Sequence, residues 1–299
     1  MAWKTMDAEE QKVRFVVAAS RREKSLSALC EEFGISRPTG YLWLGRYEKA
    51  GLAGIAERSR RPQHSPQRTE PEVERRVVEL RQRYPDWGAR KLQVVLAREQ
   101  VDVKRSTLHR ILLRHDLVAE HDRRGQAPGR FQRGTPNELW QMDFKSPKGW
   151  NAAVGPLSVL DDCSRYLLVL QAVRTNHSEL VREQLESAFT MNGVPQAMLM
   201  DHGVPWWSER APSGITRLTV WLMKQGIRLH WSGFRHPQTQ GKVERFHGAL
   251  QRALRLRPVD RQQPQAWLDE FRREHNHVRP HEALAMQTPA SVWRRGPQT

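Results

Sequence analysis

The hydrophobic pattern of this chain changes period near residue 137. Ahead of that point apolar residues recur at helical spacing, as in VERRVVELRQRYP and WGARKLQVVLARE. Behind it come short apolar runs of strand length, ELWQMDF, PLSVLDDC and YLLVLQAV. A chain built this way is neither a helical bundle throughout nor a β-sandwich. It is expected to be multidomain, with an all-α front followed by a mixed α/β layer. The length of 299 residues fits two or three such domains.

In the front, Leu26, Leu29 and Phe33 share a helix face, with Ser25 as N-cap. Gly34 breaks the helix. Ser36 caps the next one, and Pro38 falls in its first turn, where proline is tolerated. Helix, glycine turn, capped helix is the helix-turn-helix pattern, and its second helix would offer Arg37, Thr39 and Arg46 to a major groove. A plain three-helix bundle has the same pattern. The theme repeats over 72–118, where Arg105, Ser106, Thr107 and Arg110 are the candidate contacts and Lys104 stands where a capping residue is expected. The predicted segmentation is helix-turn-helix domains at 1–57 and 72–118, and Pro/Gly/Arg-containing linkers at 58–71 and 119–136. A core at 137–257 follows, then a helical extension at 258–299 packed on that core.

Charge points the same way. The net charge is +16, with 49 Lys+Arg against 33 Asp+Glu. Residues 1–133 carry 28 basic and 18 acidic side chains, 134–250 carry 12 and 10, and 251–299 carry 9 and 5. A basic front and tail around a near-neutral middle suit a double-stranded DNA partner gripped through phosphates. Two cysteines exclude a disulfide framework and any Cys-rich zinc module. No apolar run spans a bilayer and the N-terminus has no signal core, so no membrane is expected and the reducing cytosol is the default compartment.

The near-neutral middle places a few carboxylates at special points. Asp143 lies near a strand end, Asp201 closes the isolated strand AMLM, and Glu244 sits early on a helix. Three carboxylates converging there would repel unless a cation neutralised them. Hard oxygen donors with open positions suit Mg²⁺, with Mn²⁺ as a substitute. Two such ions can activate an attacking oxygen and stabilise a leaving one on a phosphodiester. Each carboxylate also has an ordinary reading as a strand end, turn or ion-pair partner. Asp161 and Asp162 compete for a ligand role, or DDCSR is simply a turn.

Taken together, WQMDF, LDDCSRY, LMDHG, HPQTQGKVERFH and HNHVRPHEALAMQTPASVW resemble insertion-sequence transposases with a retroviral-integrase-like core. GISRPTGYLW, WGARKL and RSTLHRIL resemble the helix-turn-helix pairs of the same family. The resemblance implies a ribonuclease-H-like catalytic fold with a mixed sheet. It implies a catalytic, metal-holding triad of Asp143, Asp201 and Glu244 with two Mg²⁺ ions per site. It implies cleavage at element ends and strand transfer into target DNA, with terminal inverted repeats and target as DNA partners. A homo-oligomer on the bacterial nucleoid, in the cytoplasm, follows from the same likeness.

The sequence also departs from the family pattern. His202 stands where the second motif usually has Asn. The interval from Asp201 to Glu244 is longer than usual, with the surplus in PWWSERAPSG (205–214), whose tryptophans either stack on splayed bases or pack on the sheet. The zinc-binding N-terminal domain of retroviral relatives is missing. His236, His247, His275, His277 and His281 are read as hydrogen-bonding or phosphate partners. Lys242 and Arg245, bracketing Glu244, are expected to grip the DNA end, and RPHEAL to pack on the core. A DNA-binding regulator with a dead core and a nuclease without strand transfer fit the same charge evidence.

Overall fold

Ser25 and Ser36 each start a helix by capping it. The computed structural model describes residues 7–22, 24–56, 69–118, 132–145, 155–232, 241–260 and 263–296. It falls into two compact units, Met1–Arg68 and Thr69–Thr299. In the first, α1 (Ala8–Ser20), α2 (Leu26–Glu32) and α3 (Arg37–Ala50) surround Phe15, Val16, Leu29, Cys30 and Ile55. The Ser25 hydroxyl accepts from Ala28 N–H and that of Ser36 from Thr39 N–H, satisfying N-terminal amides that no helical carbonyl reaches. Gly34 takes φ 64°, a left-handed turn between α2 and α3 that costs glycine little. Gly40 lets α3 approach closely: a Cβ there would stand 2.5 Å from Cys30 Sγ.

The second unit opens with α4 (Pro71–Arg83), α5 (Ala89–Arg98) and α6 (Arg105–Arg114). Their apolar faces meet around Val77, Leu80, Trp87, Leu92, Leu96, Leu108 and Ile111. As its sequence suggests, Lys104 gives α6 no side-chain cap. The linkers expected at 58–71 and 119–136 lie largely outside the described residues.

The sheet contains β1 (Trp140–Phe144), β2 (Leu157–Asp161), β3 (Leu167–Gln171), β4 (Ala197–Met200) and β5 (Arg228–Trp231) in the order β3-β2-β1-β4-β5. β2 runs antiparallel to both β1 and β3, while β4 is parallel to β1 and β5 to β4. Strand alternation feeds two layers. Trp140, Met142, Leu157 and Val159 pack with α7 (Ser178–Asn192) and α8 (Arg217–Lys224). Leu160, Leu167 and Leu170 pack with α9 (Gly241–Leu256) and α10 (Pro264–His277). A mixed sheet between two helical layers, with this strand order, is the ribonuclease-H-like arrangement. The strand predicted in PLSVLDDC ends at Asp161, because Asp162 begins the turn into β3.

The predicted division between 72–118 and the core does not appear as a break between units. Asp86, with a fully buried side chain, is ion-paired with Arg257 and Arg279, and Arg98 donates to the carbonyls of Val278 and Met286. A buried carboxylate needs cations, and both come from the C-terminal region. Arg279 of RPHEAL thus pairs with the α4–α5 turn, whereas the expectation was packing on the core.

Candidate active site

β1 and β4 are parallel neighbours with Trp140 opposite Met198 and Gln141 opposite Leu199. Carrying that offset forward brings Asp143 across from Asp201, on strands about 4.8 Å apart. Asp143 is half-buried and points to the α9 side of the sheet, as does Ser158, its partner across β2. Glu244 lies in the first turn of α9 and is exposed.

The electrostatics of Asp143 register the other two carboxylates. Its pKa is pushed up to about 7, by burial first, then by the charges of Asp201 and Glu244. The Phe144 amide and the Lys145 ammonium pull the other way. His247, one turn along α9 from Glu244, has its Nδ1 3.6 Å from an Asp143 oxygen, and its Nε2 shares a 3.0 Å hydrogen bond with the Ser158 hydroxyl. Burial, helped by Lys145, holds the imidazole down to about 3, so it is neutral at physiological pH. It stands beside Asp143 without neutralising it or bonding to it.

Asp201 is held differently. Its Oδ1 accepts the Gly203 amide at 2.9 Å and the Trp206 indole N–H at 2.7 Å. Trp206 is buried and stacks on Phe144, with centroids 5.1 Å apart and planes 9° from parallel. Trp207 meets His202 and Trp231 edge-on. Both rings of the 205–214 loop thus pack on protein.

Among the described residues, no three His, Cys, Asp or Glu side chains are grouped so that they could hold a metal ion as they stand. The donor set nevertheless fits a hard divalent cation in kind. It consists of three carboxylates, two on adjacent strand ends and one on a facing helix, whose mutual repulsion is already written into Asp143.

The other expected site residues divide by exposure. Arg37, Arg105, Ser106, Arg110 and Arg245 are exposed. The Thr39 hydroxyl is engaged with Ser36 at 2.8 Å within the α3 cap, and Arg46 lies over the Trp43 ring. Thr107 is half-buried. The DNA grip expected of Lys242 gives way to another role, since its ammonium is ion-paired with Asp162, whose side chain is fully buried. Asp162 also accepts from Arg133 N–H and Gln141 Nε2, while Asp161 accepts from Asn137 N–H and from the amide and hydroxyl of Ser164. Both aspartates hold the turn and stay away from any ligand role. His275 and His281 are in edge-on contact inside the protein, and His277 lies edge-on to Tyr166. His236 lies outside the described residues. Sequence reasoning read Trp206 as stacking on bases or packing on the sheet and His247 as a hydrogen-bonding or phosphate partner; it missed the bond from Trp206 to Asp201 and the Ser158 partner of His247. A tryptophan five positions after the strand-end aspartate was the available signal for the first.

Comparison with known proteins agrees with this architecture. Residues 11–63 match a helix-turn-helix domain, and residues 39–112 a homeodomain-like domain. Residues 134–237 and 225–289 match integrase core domains. The chain is 24% identical over 277 residues to a 39.2 kDa protein of insertion element IS476 from Xanthomonas euvesicatoria, covering 90% of this chain and 78% of that one. It is 25% identical over 224 residues to a 31.7 kDa protein of insertion element IS407 from Burkholderia multivorans, covering 72% and 78%. Among solved structures it is similar to the HTLV-2 integrase catalytic core domain in complex with magnesium, with TM-score 0.41, 14% identity and coverage of 54% of this chain and 100% of that one. It is also similar to a chain of the simian T-cell lymphotropic virus intasome, with TM-score 0.45, 18% identity and coverage of 75% and 77%.

Proposed function

This chain carries the helix-turn-helix and integrase-core domains of insertion-element transposases, and from that premise we propose that it cuts DNA at the ends of an insertion sequence and joins those ends to target DNA. The carrying observation is Asp143, held near neutrality by burial and by the charges of Asp201 and Glu244 around it. A buried carboxylate raised further by two neighbouring carboxylates marks a candidate cation site. Asp143, Asp201 and Glu244 are the residues that would hold Mg²⁺, two ions per site, with Mn²⁺ able to replace it. Bound there, the cation polarises the phosphodiester and stabilises the charge that develops on its oxygens.

The chain's own residues prepare the rest. His247, kept neutral and bonded to the Ser158 hydroxyl, stands beside the Asp143 carboxyl. Gly203 and Trp206 fix Asp201. Glu244 approaches from α9, which Lys242 ties to the sheet through Asp162. In the first step a water oxygen bonds to phosphorus, the bond to the 3′ oxygen breaks, and that oxygen leaves with a proton as a 3′ hydroxyl. In the second, the oxygen of this hydroxyl bonds to a target phosphorus, the bond from that phosphorus to the target's own 3′ oxygen breaks, and the departing oxygen takes up the proton that the attacking hydroxyl gives up.

Terminal repeats would be read by the helix-turn-helix segments. Arg37, Thr39 and Arg46 act in the first, and Arg105, Ser106, Thr107 and Arg110 in the second. Arg245 would contact phosphate beside the site. Joining two ends calls for a homo-oligomer. The DNA it acts on would place it on the bacterial nucleoid. Among the described residues, no helix is long and apolar enough to cross a membrane.

Purified protein incubated with labelled element ends, a target plasmid and Mg²⁺ tests the reading. Joined products are expected. Nicks alone would make it a nuclease, and binding without cleavage a regulator. Asp143→Asn and Glu244→Gln should each abolish joining while sparing DNA binding. Joining at the normal rate by either variant would remove that residue from the site.

A further inference from the structure

Asp201 offers two oxygens, and the fold treats them unequally. A carboxylate oxygen has two in-plane acceptor positions. On Oδ1 both are taken, by the Gly203 amide at 2.9 Å and the Trp206 indole at 2.7 Å. Among the described residues Oδ2 accepts no hydrogen bond. The indole is itself immobile: Trp206 is 1% exposed, sits in the core between the sheet and the α7–α8 layer, and lies flat on Phe144. Phe144 directly follows Asp143 in β1. One buried side chain therefore links the end of β1 to the carboxylate at the end of β4.

We propose that Trp206 is a positioning residue for the cation site: its N–H holds Oδ1 of Asp201, and its stacking on Phe144 sets the place of that hold, so that Oδ2 is the oxygen Asp201 presents to a divalent cation. The inference rests on the reading of Asp143, Asp201 and Glu244 as cation ligands. The competing account is purely structural. A buried indole N–H needs an acceptor, and Asp201 is the nearest. The two accounts differ in what the carboxylate loses when the N–H is removed. In the structural account the ring's packing matters and the cation does not notice. In ours the cation does, because groups that orient a ligand typically contribute about 10–100-fold to metal affinity.

Mn²⁺ binding by the full-length protein, followed by electron paramagnetic resonance, separates them without relying on turnover. Trp206→Phe keeps an aromatic ring over Phe144 and removes the donor. Replacing residue 206 by 3-benzothienylalanine keeps the ring's shape as well, and answers the question if the phenylalanine variant folds poorly. With melting near that of wild type, either change is expected to weaken Mn²⁺ binding about tenfold or more. Trp207→Phe, in the same loop but off the carboxylate, should bind within about twofold of wild type, the ordinary scale of a change that touches no ligand. Wild-type affinity in the benzothienylalanine protein would overturn the proposal, as would an equal loss in Trp207→Phe. A wild-type protein that binds no Mn²⁺, or an Asp143→Asn protein that binds it undiminished, would instead remove the underlying reading of the site, and the proposal with it.

Discussion

Gly203 shows how tightly the Asp201 carboxylate is wrapped. A Cβ at that position would stand 2.8 Å from Oδ1, closer than packed atoms come. Gly203→Ala should push the carboxylate off its two donors. The loop lies at the rim of the sheet, so the cost in stability is expected to be small, about 1 kcal/mol. Strand joining should fall at least tenfold, in line with a displaced ligand. Melting curves beside a joining assay check this; normal joining would mean that Asp201 needs no fixed position. The positions of Asp143, Asp201 and Glu244, at two strand ends and a helix start, were legible in the sequence, while their assignment as a triad came from the family resemblance. The particular partners of Trp206 and His247 were not legible. Each depends on a contact across the fold, Trp206 with Phe144 and His247 with Ser158, and spacing along the chain carries no record of either.

At the scale of elements, α9 matters most, because it carries Glu244 to the sheet. Lys242 pins its first turn to Asp162 in the β2–β3 turn, and the Val243 amide donates to Gln141 Oε1 at 3.3 Å. Removing one partner of a buried pair leaves a charge without its counterion, which costs about 3 kcal/mol or more. Asp162 would keep two hydrogen bonds, so the low end applies. Lys242→Met should therefore destabilise the unit Thr69–Thr299 by about 3 kcal/mol in denaturant unfolding. A variant of normal stability that loses only DNA affinity would restore the expected phosphate grip. The pairing of Lys242 with Asp162 was not legible because helical periodicity tells which residues share a face, and not which face meets the sheet. Serine caps and the Gly34 turn, by contrast, were legible, since a cap acts on amides two or three residues away and leaves its signature in the local sequence.

The unit Thr69–Thr299 as a whole is joined through a carboxylate that sequence could not flag. Asp86 follows Pro85 in the turn between α4 and α5, inside an apparently separate helical segment, yet it receives Arg257 from just beyond α9 and Arg279 from just beyond α10. Its partners lie more than 170 positions away, so nothing in the local sequence shows that the segment 72–118 is ion-paired to the C-terminal region. Burial alone would raise the Asp86 pKa, but the two guanidinium groups outweigh it and hold the carboxyl below its ordinary 3.8. A depressed folded-state pKa fixes the sign of the pH dependence. The contribution to stability is complete above about pH 4, where the unfolded chain is also ionised. It is lost as pH falls through the lower folded-state value, because protons then favour the unfolded chain. Asp86→Asn keeps the shape and removes the titration. Unfolding free energies measured for both proteins from pH 7 down to 3 should show wild type ahead by a constant margin at the upper end. That margin should shrink below about pH 4. Other carboxylates titrate in both proteins and cancel in the difference. A margin that stays flat to pH 3 would mean that the joint does not draw on the charge of Asp86, and that hydrogen-bond shape alone holds the helical segment to the catalytic core.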